Sequence, residues 1–338
     1  VHFEEWSSID HEPSSVDLLR CVAFVRSGEF DGVVGVGGGS ALDIAKAAAA
    51  LATADLDVED PDGVLGILRN VDIHRPGLPA ILLPTTSGTG SEVSLNAIFL
   101  DAETGRKEAI ISPFLLPRVA IADPEMTVTA PPNVTASAGM DALAHAVESY
   151  VSVKATAHTS MYALEAIRLI FLNLERACVS GADLGAREGM ALGSLFAGIS
   201  MAHAGTCVGH ALAYPLGETH HIAHGVANGM LLPYAMRLIS KASAARLAEI
   251  ARVAGEKTDG ICQDEAAELA VGAVVRLAES VRMPKALVEL GIGEADVPFL
   301  VQDALNVRRL LKNSPCPMSR DSVASAFRAA LAGDVDLV

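Results

Sequence analysis

The sequence predicts an α/β first part followed by an all-helical second part. Three observations carry this expectation. The valine-rich run FDGVVGVGGGS at residues 30–40 reads as a short buried strand that passes into three glycines and then into ALDIAKAAAALAT, a segment of strong helix formers. A second buried run, LPAILLP at 78–84, ends abruptly in the polar stretch TTSGTGSE. Beyond about residue 130 strand signal gives way to long Ala/Leu/Glu-rich segments at helical spacing.

In order along the chain, VDLLRCVAFVRSG at 16–28 carries apolar residues at helical period, and the strand, glycine turn and helix that follow make half of a βαβ unit. Residues 55–77, polar with Gly and Pro, read as loop. NAIFLD and KEAIIS are short alternating segments, and RVAIADP at 118–124 reads as a further strand stopped by Pro124. Helices are then expected at about 134–152, 157–178, 184–214, 226–255 and 262–282. The boundary between the two parts falls near residue 129, giving domains 1–129 and 130–338. No internal repeat or low-complexity tail is present.

Composition narrows the partners. The 338 residues carry a formal net charge of -16 and a sequence pI of about 5.0, so a phosphate backbone is repelled and a nucleic-acid partner is not expected. Five cysteines, Cys21, Cys178, Cys207, Cys262 and Cys316, are scattered and form no C-x-x-C pair. A disulfide framework or thiolate zinc site is therefore not expected, and a cytoplasmic location fits. No run of apolar residues reaches membrane-spanning length, and no basic, apolar leader opens the sequence.

Two polar loops follow buried strands, where α/β folds bind ligands. At Gly37, Gly38 and Gly39 the missing side chains let an anion approach the backbone, and the next helix presents unpaired N–H groups and the positive end of its dipole. That chemistry suits a pyrophosphate. The turn alone fits a plain tight turn equally well, and Ser40 occupies the last position of the strict G-x-G-x-x-G pattern. PTTSGTGSE adds the hydroxyls of Thr85, Thr86, Ser87, Thr89 and Ser91.

In GMDALAHAVESY, Asp141 and His145 lie four residues apart on one face of the expected helix. Such a pair is by itself more often a surface feature than a metal site. Downstream, GHALAYPLGETHHIAHG supplies His210 and His224. One carboxylate and three imidazoles suit a divalent first-row ion such as Fe²⁺, or alternatively Zn²⁺. His203, His220 and His221 compete for the same role, and spacing does not choose among the five histidines.

Taken together, GGGSALDIAK, PTTSGTGSE, Asp123-Pro124, GMDALAHAVESY and GHALAYPLG followed by HGVANGMLLP resemble the iron-containing (group III) alcohol dehydrogenase family over nearly the whole chain. The resemblance implies a dehydroquinate synthase-like fold: an α/β dinucleotide-binding domain, an all-α metal-binding domain, and a site in the cleft between. It implies NAD or NADP as cofactor, and a small alcohol, aldehyde or hydroxy acid as substrate. It resolves the choice of ligands to Asp141, His145, His210 and His224, the last two fourteen residues apart. By the same matching Gly38, Gly39, Ser40 and Asp43 meet the pyrophosphate and nicotinamide ribose, Thr85, Thr86 and Thr89 line the cofactor, and Lys107 reaches its ribose or phosphate. Proton exit is expected through Tyr214, through His220 or through the cofactor ribose. A homo-oligomer, a dimer, is the expected assembly.

Two departures from the pattern carry expectations of their own. A usual member has additional residues at its start, including the first strand of the nucleotide fold. The chain opening at Val1 is therefore expected to be truncated and to bind dinucleotide weakly or fold poorly alone. Tyr214 stands where the family often has a histidine. It is similar in this, and in FVRSGEFDGVVGVGGGS and SPCP, to the hydroxyacid-oxoacid transhydrogenase branch, in which the cofactor stays bound; the insertion usual to that branch is absent. A lyase of the related dehydroquinate synthase type is the other rival activity.

Overall fold

The computed structural model describes residues 2–7, 9, 13–54, 73–102, 104–105 and 107–338. These fall into two compact units, Val1–Thr86 with Gly90–Met126, and Ser87–Thr89 with Thr127–Val338.

The first unit opens with helix α1 (Ser15–Ser27), started by a capping box between Ser14 and Asp17. Strand β1 (Val33–Gly37) and helix α2 (Gly39–Leu51) follow as expected. Of the loop expected at 55–77, residues 55–72 lie outside the described residues, and 73–77 contain neither helix nor strand. Strand β2 (Ala80–Pro84) pairs parallel to β1, with Gly37 opposite Pro84, so both strands end at the same level. β3 (Asn96–Leu100) and β4 (Lys107–Ile111) form a separate antiparallel pair. The strand expected at 118–124 is reduced to β5 (Val119–Ala120), which pairs parallel to β2 and completes the sheet order β1-β2-β5. On either side of it Arg118 N donates to the Ala80 carbonyl at 2.8 Å and Ile121 N to the Leu82 carbonyl at 2.9 Å.

One face of this sheet packs Leu82 against Leu42 and Ala45 of α2. On the other, Val34 and Val36 remain 62% and 50% exposed and Val119 43%. The main core of the unit lies between α1, α2 and the β3–β4 pair, around Leu18, Val22, Ile44, Leu51, Phe99 and Ile110. Each such side chain contributes roughly 1.5–3 kcal/mol on burial.

The second unit is helical among its described residues. Its helices are α3 (Pro132–Val151), α4 (Ala157–Val179), α5 (Leu184–Ala204), α6 (Val208–His220), α7 (His224–Ile239), α8 (Ala244–Val253) and α9 (Gln263–Ser280). Past residue 282 come α10 (Val297–Asn306), the single turn α11 (Arg308–Leu311) and α12 (Arg320–Ala332). α3 runs through the core, burying Met140, Leu143, Val147 and Val151.

Two helices expected as continuous are broken. The segment 184–214 stops at Ala204, where Gly205 takes φ +73°, and restarts at Val208 with the axis turned by 102°. The segment 226–255 divides between Ile239 and Ala244. Alanine-rich sequence hides both breaks, because good helix formers flank each one. No single helix among the described residues is long and apolar enough to cross a membrane.

Candidate metal centre

Three helices of the second unit converge on one point. α3 contributes Asp141 and His145, one turn apart. The turn at Gly205 starts α6 afresh, so His210 lies in its first turn. α7 begins at His224 and lies close on α3, because Gly225 and Gly229 have no side chain at the contact. A β-carbon at Gly225 would sit 2.4 Å from the Ser137 carbonyl, and one at Gly229 2.6 Å from Met140 Cβ. These glycines set the depth at which His224 meets Asp141.

Asp141 Oδ1 lies 3.9 Å from His145 Nε2, 3.9 Å from His210 Nε2 and 3.8 Å from His224 Nε2. One ligand atom from each of the four residues falls within 4.8 Å of the others. A tetrahedral set at ordinary metal–nitrogen and metal–oxygen lengths has edges of about 3.4 Å, so a slight contraction closes this set around an ion. Asp141, His145 and His210 are 2%, 4% and 4% exposed. The His224 side chain is 33% exposed and marks the open side.

The surroundings of Asp141 and His145 favour their ligating forms. Burial raises the Asp141 carboxyl, but His145, His224 and His210 with the Asn228 amide outweigh it and hold Asp141 below the usual carboxylate range. Burial pushes His145 down against the opposing pull of Asp141, which favours the neutral imidazole that a metal needs. His210 moves the other way: burial lowers it, and Glu148 together with Asp141 more than reverses this. The Nδ1 of His145 faces the Gly88 carbonyl at 3.3 Å, and the Nδ1 of His210 faces the Glu148 carboxylate. His210 Nε2 is buried with no hydrogen-bond partner. Asn228 donates to Asp141 Oδ1 at 2.8 Å and lies 3.0 Å from His224 Nε2.

The quartet expected from the sequence is thus gathered. The competing histidines are elsewhere: His203 and His221 are exposed, and His220 ends α6 outside the cluster. Tyr214, one turn beyond His210, has its ring centroid 6.5 Å from that of His224 and accepts from Arg309 Nη2 at 3.4 Å.

Of the expected cofactor residues, Gly38, Gly39 and Ser40 form the start of α2, and no side chain caps it. Thr85 and Thr86 follow β2 beside them, with Thr85 N donating to the Gly37 carbonyl at 2.9 Å. Lys107 opens β4, and Thr89 belongs with the second unit. Asp43, in the second turn of α2, is held by protein partners. Its Oδ1 accepts from Ser91 Oγ at 2.6 Å and pairs with Lys46 at 3.1 Å, and its Oδ2 accepts from Ile98 N at 2.9 Å. That carboxylate joins α2 to β3 and the intervening loop, and both its oxygens are engaged there.

Sequence reasoning missed Glu148, Asn228 and Gly88. Two of them were marked by spacing. Asp141, His145 and Glu148 form an i, i+4, i+7 stripe in an otherwise apolar helix, and Asn228 follows His224 by four.

An α/β unit with a glycine turn at a helix start and a helical unit with a four-residue cluster suited to a metal ion define a two-part architecture, and comparison with known proteins gives its family. The pattern described as "Iron-containing alcohol dehydrogenase" matches residues 1–124, and "Fe-containing alcohol dehydrogenase family, C-terminal" matches 135–331. The chain is 45% identical over 330 residues to long-chain-alcohol dehydrogenase 1 of Geobacillus thermodenitrificans (strain NG80-2), covering 98% of this chain and 82% of that protein. The crystal structure of a 1,3-propanediol oxidoreductase superposes with a TM-score of 0.90 at 35% identity, covering 96% and 83% of the two chains. Sulfoacetaldehyde reductase from Bifidobacterium kashiwanohense in complex with NAD+ superposes with a TM-score of 0.85 at 30% identity, covering 97% and 83%. The chain belongs to the iron-containing alcohol dehydrogenase family, whose members are oxidoreductases that use NAD(P) and iron.

Proposed function

We propose that this chain interconverts small alcohols and their aldehydes or ketones with NAD or NADP, at an Fe²⁺ or Zn²⁺ ion held by Asp141, His145, His210 and His224. The observation that carries the reading is the meeting of three imidazole Nε2 atoms around one buried Asp141 oxygen, with His210 Nε2 lacking any other partner. When bound, the ion supplies Lewis acidity that polarises the substrate C–O bond.

The chain's own groups do the rest. Asp141, His145 and His210 are buried and keep water from three sides, so substrate enters beside His224. Tyr214 stands next to His224, where a phenol hydroxyl can donate a hydrogen bond to a substrate oxygen or carboxylate. At the start of α2, Gly38, Gly39 and Ser40 offer backbone N–H groups and the positive helix end to a pyrophosphate, with Thr85 and Thr86 beside them and Thr89 and Lys107 reading the remainder of the dinucleotide. Residues 1–129 are the dinucleotide-binding part in this reading, and 130–338 the metal-binding part. The enzyme works as a cytoplasmic homodimer; the five unpaired cysteines fit a reducing compartment.

The test is a panel of alcohols, aldehydes and hydroxy acids assayed with each cofactor. The expected result is steady NAD(P)H accumulation from an alcohol, lost on chelation and restored by Fe²⁺ or Zn²⁺. Exchange between a hydroxy acid and an oxo acid without added NAD(P) would replace this reading by the transhydrogenase one. Product formation without net cofactor turnover would replace it by the lyase one.

A further inference from the structure

We infer that Glu148 is a positioning residue of the metal centre: its carboxylate caps helix α6 and fixes His210 in the tautomer that turns Nε2 toward the metal. The inference rests on the metal reading above.

Glu148 lies on α3, two turns beyond Asp141, and is 2% exposed. A buried carboxylate is costly unless its oxygens are well supplied with donors. Here three donors converge. Gly209 N donates to Oε1 at 2.5 Å, His210 N donates to Oε2 at 3.2 Å, and His210 Nδ1 donates to the same Oε2. The first two are open amides in the first turn of α6, whose N-cap residue Cys207 offers no side-chain cap. Glu148 therefore does from a neighbouring helix what Ser or Asp usually does at an N-cap, and its charge faces the positive end of the helix.

The seat is shaped for it. A β-carbon at residue 209 would fall 2.9 Å from Glu148 Oε1 and 3.1 Å from its Cδ. Only glycine leaves the carboxylate that room.

The third hydrogen bond has the chemical consequence. A carboxylate accepts and cannot donate, so the ring nitrogen facing it must carry the proton. Nδ1 of His210 is then N–H, and in the neutral ring that a metal requires Nε2 presents its lone pair toward Asp141 and the other imidazoles. Carboxylate partners of this kind orient metal-bound imidazoles and raise their basicity. Because Oε2 binds the backbone and the ring of one residue, the rotamer of His210 is fixed along with its tautomer.

Glutamine cannot take over. Whichever way its amide lies, the NH₂ end meets a donor, at Gly209 N or at His210. Glu148→Gln is expected to weaken zinc binding roughly 10–100-fold, the usual range for such partners. A residue that only capped α6 would weaken zinc binding equally with or without the His210 ring. The discriminating experiment is a double-mutant cycle on the full chain. Zinc affinity is measured by chelator competition in the parent, E148Q, H210A and the double variant. The expected result is a large loss from E148Q in the parent and less than about a threefold loss in the H210A background. Equal losses in both backgrounds overturn the inference. A parent that binds no zinc overturns the metal reading and the inference together, whereas equal losses in a zinc-binding parent overturn the inference alone. One measurement needs no variant: long-range ¹⁵N–¹H spectra of the zinc-loaded chain should show His210 protonated at Nδ1. An unprotonated Nδ1 with the proton on Nε2 overturns the inference.

Discussion

At the scale of single residues, Lys46 shows how a helical charge can be buried and still be satisfied. It is 1% exposed, yet its ammonium group is satisfied: it donates to the Ser91 carbonyl and to Ser94 Oγ, each at 2.9 Å, and pairs with Asp43. Burial pulls its pKa down, and Asp43 works against that pull. Breaking a buried pair by removing one member leaves the other charge without compensation, at a cost of about 3–5 kcal/mol. Lys46→Met should therefore destabilise the chain by that order in denaturant unfolding. The double change Lys46→Met with Asp43→Asn should recover part of the loss, since the Asp43 charge is then no longer left without its partner. A single variant as stable as the parent would show that the pair is not desolvated as described. The sequence displayed Asp43 and Lys46 three apart on a helix, but a helical lysine reads as solvated. What it lacked was the loop around Ser91 and Ser94, far along the chain, that covers them.

At the scale of elements, the backbone places the chemistry. The break at Gly205 puts His210 into the first turn of α6, where its amide and ring meet Glu148. The Gly88 carbonyl does for His145 what Glu148 does for His210. Gly88 sits hard against α3: a β-carbon there would lie 2.8 Å from Ala138 Cβ and 2.9 Å from both its Cα and its carbonyl oxygen. Gly88→Ala must lift residues 87–89 off α3 and draw the carbonyl away from His145. Overpacking of this kind costs about 1–3 kcal/mol, and loss of the orienting acceptor should weaken metal binding about 10–100-fold. Calorimetric melting and chelator competition check the two effects. Parent-like metal affinity in G88A would show that the carbonyl does not position the ring. Strands β1 and β2, helix α2 and most of the helical part were legible because apolar valine and leucine runs alternate with strong punctuation, although Val34 and Val36 of β1 are exposed where a buried strand was expected. The breaks at 205–207 and 240–243 were not, since a helix end fixed by tertiary contact leaves little mark in alanine-rich sequence.

At the scale of the whole molecule, four residues separated by up to 83 positions form one ligand set. Of these only the Asp141–His145 pair was legible from spacing. The choice of His210 and His224 over three other histidines needed the family resemblance, because the packing of α6 and α7 on α3 is set by long-range contacts. The most direct test of the account compares the parent with His224→Ala and His221→Asn, each purified in the presence of Fe²⁺ or Zn²⁺. Asparagine suits position 221, where φ is +53°. Metal content by elemental analysis and NAD(P)-linked alcohol oxidation are read on the same samples. The account predicts about one ion per chain in the parent and in His221→Asn, with most of the metal and most of the turnover lost in His224→Ala, which removes one corner of a tetrahedral set. Full metal occupancy in His224→Ala would contradict it.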